Sequence, residues 1–194
     1  ALPMAAEGIA AIIEAAGQAG VIDAALPDDE RRAALIAFAE DAARMGTAFD
    51  MSAEAAGAAM TLWRVTLGMT RPEAMGFGDA INHLSNNMDA TAPEIVEMVR
   101  RTGAFAQAAG LAETSTAALS AALLAGGAAP DVAATAMQNM ITTMTLGAAA
   151  TDRQREVFEA LGFDAEEMAE RMQVDAQGAI YDVMAAMAEM PEHL

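Results

Sequence analysis

The stretch Gly68-Met69-Thr70-Arg71-Pro72-Glu73 holds the signals that end one helix and start the next. Glycine adopts the left-handed conformation that closes a helix, and it is common just past the last turn. Thr70 precedes Glu73 by three residues, the spacing of a capping box, in which each side chain accepts a hydrogen bond from the other residue's backbone N–H. Pro72 falls in the first turn, where its missing N–H costs nothing. The stretch therefore predicts two helices joined by a tight turn.

Similar signals recur along the chain. Gly162 is followed by Asp164 and Glu167 in the same arrangement, whereas Gly110 is followed by Ala112, where a polar cap is expected. Other helix starts are Thr91 to Glu94, Thr151 to Gln154 and Ala129 to Asp131. The signals divide the chain into helices at about 4–16, 28–45, 52–67, 71–87, 93–109, 113–126, 130–146, 151–161 and 164–190, the last with a break near Val174. We predict an all-α bundle of short antiparallel helical hairpins, with about nine or ten helices.

The composition supports this fold class. Alanine is about a quarter of the 194 residues, methionine occurs 16 times, and aromatic residues make up 4%. Alanine, leucine, methionine and glutamate favour helices, and the scarcity of β-branched and aromatic residues disfavours sheets. We expect an N-terminal helix with a candidate hinge in 1–27, followed by a helical core domain in 28–194 that forms one compact unit with it.

Charge and cysteine content exclude several functions. The chain has 28 acidic and 10 basic residues, every basic one an arginine, for a net charge of −18. Such a chain repels phosphate backbones, so we expect no nucleic-acid binding. Without cysteine there is no disulfide, thiol nucleophile or cysteine-ligated metal. The sequence begins without methionine and without a signal peptide, so we expect a piece of a longer protein.

Apolar residues repeat at helical spacing in several segments. Such a stripe could be a partner-binding face, but we interpret these as bundle core. The stripes are Met60, Trp63 and Leu67; Phe77, Ile81, Leu84 and Met88; Ile95, Met98, Val99 and Phe105; and Ile180, Val183, Met184, Met187 and Met190.

The segment 113–146 is almost uncharged, since Asp131 is the only charged residue between Thr114 and Thr151. Helices apolar on every side are buried in a bundle or in a membrane. The first arm of this hairpin is shorter than the ~20 residues of a membrane span. We predict that the hairpin is central in the bundle, and the alternative is a membrane-perturbing, pore-forming or toxin-like domain that acts through it.

Few residues suggest catalytic or metal chemistry. His83 lies four residues after Asp79 on one helix face, but no third ligand is apparent, and His193 is next to the chain end. There is no metalloprotease motif, nucleophile elbow or phosphate-binding loop. Ser85-Asn86-Asn87 resembles a helix C-cap, because asparagine tolerates the left-handed conformation; a polar recognition tip is the alternative. We predict no catalytic, cofactor-binding or metal-binding residues, no cofactor and no enzyme activity, with a cell-wall hydrolase accessory domain as a further alternative.

Several stretches, taken in order, resemble the core region of phage tail tape measure proteins. They are Phe38 to Met45, Gly78 to Met88, Thr91 to Val96, Arg100 to Gly103, Ala117 to Thr135, Thr151 to Gly162 and Arg171 to Ile180. The resemblance extends over about residues 35–190. It implies a virion structural protein without catalytic residues.

The resemblance also implies a place and partners. Tape measure proteins lie in the lumen of the virion tail, set tail length, scaffold tail-tube assembly and leave ahead of the DNA. The implied partners are tail-tube and tail-tip or baseplate proteins, tail assembly chaperones and further copies of the chain. The chain would reside in the host bacterial cytoplasm during assembly, and would contact membrane only during ejection.

Overall fold

The computed structural model describes residues 6–189, and these contain only helices and their connections. Within this range lie nine α-helices and one 3₁₀ turn, which confirms the all-α prediction. The predicted helix ends at 4 and 190 fall outside the described residues. The helices are α1 (Ala6–Gln18), α2 (Asp28–Phe49), α3 (Ala53–Val65), α4 (Arg71–Asn87), α5 (Ala92–Ala108), α6 (Glu113–Ala125), α7 (Pro130–Met144), the 3₁₀ turn Gly147–Ala149, α8 (Asp152–Ala160) and α9 (Ala165–Glu189).

Local capping fixes most helix starts. At α4 the backbone N–H of Thr70 donates to Glu73 Oε2 at 2.7 Å, and the Thr70 hydroxyl accepts from the Glu73 N–H at 3.5 Å. The same reciprocal pair begins α5 and α8, so all three predicted Thr-x-x-Glu/Gln capping boxes are confirmed. Asp164 caps α9 by accepting from the N–H groups of Glu166 and Glu167. Among the hydrogen bonds of the described residues, Glu167 does not return the bond that would complete this fourth box.

Left-handed glycines end several helices, as predicted. Gly68, Gly110 and Gly162 have φ of +73°, +87° and +83°. The prediction was wrong for Asn86 and Asn87, neither of which is left-handed: α4 continues to Asn87 and leaves through an extended Met88. Their side-chain amides instead donate to the carbonyls four residues earlier in α4, both at 2.7 Å.

Helix α2 extends four residues beyond its predicted end at 45. Phe49 in its last turn is buried, and Asp50 takes the left-handed position with φ of +53°. Gly46 lies within this helix, and the start of α3 approaches it closely. A Cβ there would lie 3.0 Å from the Met51 carbonyl oxygen.

The helices form three overlapping groups. Helix α1 packs against α2 and α3, helices α4 to α7 pack against one another in the middle, and α9 packs against α7, α8 and the 3₁₀ turn. At the first junction Trp63 is fully buried, and its ring meets Phe77 edge to face with centroids 4.9 Å apart. Ile12 and Ala16 of α1 belong to the same core as α2 and α3.

Only the first arm of the uncharged hairpin, α6, is central in the bundle. Helix α6 is buried on most sides, including Ser115, Thr116 and Ser120, and contacts α4, α5 and α7. Helix α7 lies at the surface, and the prediction of a central hairpin was wrong for this arm. One side of this uncharged helix is exposed and carries polar side chains. The hydroxyls of Thr135 and Thr142 donate hydrogen bonds to carbonyls of their own helix, at 2.9 and 2.8 Å.

Most predicted core stripes are buried, with two corrections. Phe105 is 39% exposed, because the buried face of α5 runs through Thr102, Gly103 and Ala106. A Cβ at Gly103 would lie 3.4 Å from Leu67, so small residues admit a neighbouring side chain at this end. Met187 is 57% exposed, since the last turns of α9 extend beyond the core. Met190 lies outside the described residues.

The predicted break in the last helix is confirmed. Asp175 has non-helical backbone angles, φ of −148° and ψ of 71°, and divides α9 into two halves. Val174 beside it is 88% exposed.

Candidate functional site

The residues that suggested metal chemistry are not brought together. Asp79 and His83 are both exposed, and the His83 ring lies near Asn87 rather than a carboxylate, with Nδ1 to Nδ2 at 3.4 Å. Within residues 6–189, no three carboxylate or histidine side chains are grouped so that they could hold a metal ion. His193 lies outside the described residues. The other candidate functional features are surfaces.

The net charge is unevenly distributed along the chain. Residues 95–155 contain four acidic and four arginine side chains and are neutral, whereas the preceding and following segments each have a net charge of −9. The neutral segment forms α5 without its first turn, α6, α7, the 3₁₀ turn and the start of α8. Along the sequence, a neutral segment thus lies between two acidic ones.

The exposed side of α7 is uncharged beyond its first turn, where Asp131 is exposed. We call it the neutral face: Val132, Thr135, Ala136, Asn139 and Thr142. Val132 is 59% exposed. Near the middle of α7, Gln138 donates to the Arg101 carbonyl at 3.0 Å, which ties α7 to α5.

Next to the neutral face is an apolar groove between α7, α8 and α9, with a volume of about 480 Å³. Val157 and Met187 on its walls are each more than half exposed. Arg153 and Gln154 lie at its rim. Its lining is mostly apolar, so the groove offers packing surface to a partner.

One carboxylate on α5 holds two arginines. Glu97 accepts from Arg100 through both of its oxygens and from Arg101 Nε, each at 2.6 Å. The hydrogen bond from Arg100 is the largest cause that lowers the pKa of Glu97 to about 2, and Arg101 lowers it further. The cluster keeps a net positive charge beside the neutral face.

An ion pair joins α2 to the start of α4, and sequence reasoning missed it. Arg71 donates from Nε to Asp41 Oδ2 at 2.6 Å and from Nη2 to Oδ1 at 3.1 Å. The Asp41 side chain is 3% exposed and that of Arg71 is 53% exposed. The hydrogen bond to Asp41 raises the pKa of Arg71. Thirty residues separate the two, so no local pattern could have indicated the pair.

Arg64 on α3 lies near this pair. Burial, and then the positive charge of Arg71, lowers its pKa, and its Nε is buried without a hydrogen-bond partner among the described residues. Two guanidinium groups thus lie close to one buried carboxylate, and they make this junction between the first three helices and the middle group polar.

Both arms of the uncharged hairpin are shorter than a membrane-spanning helix. The arms, α6 and α7, contain 13 and 15 residues, against about 20 for a span. No helix within residues 6–189 is both long and apolar enough to cross a membrane.

Comparison with known proteins gives two matches. A family model described as phage-related minor tail protein matches residues 1–193. A probable tape measure protein of Halomonas phage phiHAP-1 is 43% identical over 183 residues, which are 94% of this chain and 21% of that relative. The chain thus spans about a fifth of the length of the relative. No solved structure matches.

Proposed function

Because the chain belongs to the phage-related minor tail protein family, we propose that it is a structural segment of a tail tape measure protein. The observation that carries the proposal is the extent of the similarity to the probable tape measure protein, 43% identity along 94% of the chain. In this function the segment contributes to setting tail length, scaffolds tail-tube assembly and leaves the particle ahead of the DNA. It acts as a structural part and not as an enzyme.

Physical dimensions limit how the segment can fit a tail. A compact domain of 194 residues has a radius of gyration of about 16 Å. The same chain as one continuous helix would span roughly 290 Å. The compact form is wider than a channel shaped for duplex DNA. The segment therefore opens its helical hairpins inside the tail or lies at one end of it.

The core composition favours opening. Alanine and methionine account for more than half of the buried apolar residues. Alanine buries little area per residue, and methionine adapts to new neighbours. Measurement of the unfolding rate tests this step: we expect fast unfolding in mild denaturant, and high stability with slow unfolding would contradict it.

The partners follow from the proposed place. Tail-tube subunits surround the segment, tail-tip or baseplate proteins and tail assembly chaperones bind it, and further copies lie beside it. The place is the tail lumen after assembly and the host cytoplasm before it. The charge of −18 prevents the segment from retaining the DNA that follows. Tight binding to duplex DNA at physiological salt would contradict this last point.

A deletion in the phage or prophage tests the length-setting function. Removal of residues 28–189 in frame should shorten the tail by roughly 240 Å if each residue contributes a helical rise of 1.5 Å. Replacement by an unrelated helical segment of equal length is the matched control and should restore the length. Tail lengths measured by electron microscopy that do not change on deletion would overturn the length-setting function.

A further inference from the structure

Helix α9 has a continuous apolar stripe although its backbone is bent. Met168, Met172, Ala176, Ile180 and Val183 are all at most 5% exposed and follow one another at steps of four or three. That spacing keeps them on one face of an unbroken helix. The sequence of α9 is therefore compatible with a straight helix as well as with the bent one.

The bend has an identifiable cause in a side chain. Kinks usually arise from proline, glycine pairs or a group inserted into the hydrogen-bond ladder. Helix α9 has no proline. Instead, Asp175 Oδ1 accepts from the Gly178 N–H at 2.9 Å. In a straight helix this N–H would donate to the Val174 carbonyl, so the carboxylate replaces a backbone acceptor and caps the second half.

A second contact exists only in the bent form. The Arg171 guanidinium and the Asp182 carboxylate form an ion pair across the kink. Residues that are eleven positions apart in a straight helix are separated by about 16.5 Å along its axis. An extended arginine and an aspartate together bridge only about 14 Å, hydrogen bond included. Straightening must therefore break this pair.

Neighbouring elements contact α9 on both sides of the kink. Ser115 of α6 donates to Gln177 Oε1 at 2.6 Å, just beyond the kink. The turn before α6 approaches the kink closely, since a Cβ at Gly110 would lie 3.5 Å from the Met172 carbonyl oxygen. Contacts from the middle group thus favour the bend, and their loss would remove that preference.

We propose that α9 is a two-state element, bent at Asp175 while it packs on α6 and the α5–α6 turn, and a single straight helix once those contacts are released. The Asp175 cap and the Arg171–Asp182 pair stabilise the bent state. Release restores the regular ladder through Gly178 and keeps the apolar stripe on one face. The proposal goes beyond the proposed function, because it applies to this chain whatever assembly contains it.

Spin labels on either side of the kink test the proposal in the full chain. The chain has no cysteine, so Glu167→Cys and Ala185→Cys, both at exposed positions, provide two unique labelling sites. In a straight helix their Cα atoms would be about 27 Å apart. We expect pulsed electron paramagnetic resonance to give a shorter distance for the otherwise unchanged chain. Asp175→Ala should move the distribution toward about 27 Å and increase the helical circular dichroism signal.

Two control variants separate straightening from general destabilisation. Asp164→Ala removes the cap at the start of α9 and should leave the label distance unchanged. Asp175→Asn retains a capping side chain and should keep the short distance. The proposal is overturned if Asp175→Ala leaves the distance unchanged below its melting temperature, or if Asp164→Ala lengthens it equally.

Discussion

Arg71, the first residue of α4, makes two hydrogen bonds to the carboxylate of Asp41 on α2, at 2.6 and 3.1 Å. The two partners differ in burial: the Asp41 side chain is 3% exposed and that of Arg71 is 53% exposed. Because of this difference in burial, removing one side chain or the other should lower the free energy of unfolding by different amounts.

We expect Arg71→Ala to destabilise the fold more than Asp41→Ala. Loss of Arg71 leaves a buried carboxylate without its main partner, at a cost of about 3–5 kcal/mol. Loss of Asp41 lets Arg71 turn to solvent but removes the carboxylate near the partly buried Arg64, at a cost of about 1–2 kcal/mol. Urea unfolding at neutral pH measures both free energies. Equal costs, or the reverse order, would contradict the asymmetry.

Two helical glycines should respond in opposite directions to alanine. At Gly46 a Cβ would lie 3.0 Å from the Met51 carbonyl oxygen and 3.1 Å from Ala53, whereas at Gly76 nothing lies within 4 Å. Gly76→Ala should therefore stabilise α4 by about 0.5–1 kcal/mol. Gly46→Ala should lower the unfolding free energy, because the backbone between α2 and α3 must move. Thermal unfolding compares the pair, and stabilisation by both would show that α3 can shift freely.

Helix caps offer a second matched pair. Thr91 caps α5, while Ala112 at the start of α6 has the extended cap conformation but no capping side chain. Thr91→Ala should cost about 1 kcal/mol, and Ala112→Ser should gain about 0.5–1 kcal/mol. Both are read from the denaturant midpoint at constant slope. No gain at Ala112 would mean that water already satisfies the first turn of α6.

Glu97 should make a defined contribution to acid sensitivity. Its pKa is lowered from 4.5 to about 2 in the folded protein. A carboxylate with a depressed folded pKa stabilises the fold fully above its unfolded pKa and loses that contribution as the pH falls toward the folded value. Wild type should thus lose more stability than Glu97→Gln between about pH 5 and pH 2.

The size of this effect is small because the group is partly exposed. Surface pairs contribute at most about 1 kcal/mol. The measurement is the difference between the two proteins at each pH, which cancels the other carboxylates. Parallel pH curves would mean that the two arginines do not hold Glu97 in solution.

Local features of the fold were predictable because their causes lie within a few residues. The cap at Thr70, the left-handed turn at Gly162 and the break near Val174 each depend on neighbours in the sequence. Contacts between distant segments were not predictable. The pair of Asp41 and Arg71 requires knowledge of how α2 and α4 cross.

The prediction of which residues are buried was wrong where apolar or uncharged residues occur on an exposed side of a helix. Phe105 has the right spacing for the core, but α5 buries Ala106 beside it. The neutral face of α7 lacks charge yet is exposed. Its threonine side chains are polar without being charged, so this side of the helix can face water. The candidate surfaces could therefore not be predicted without knowing how α7 packs against its neighbours.

The capping boxes have a consequence for the chain once its packing is lost. Each box closes within four residues at the starts of α4, α5 and α8, so its contacts do not depend on the surrounding bundle. These three helix starts therefore remain specified when tertiary contacts are lost, which lowers the cost of nucleation at those positions. Helices as short as α8, with nine residues, are marginal without tertiary packing. The unpacked chain should therefore refold from these three starts, because each keeps its own local signal for where a helix begins.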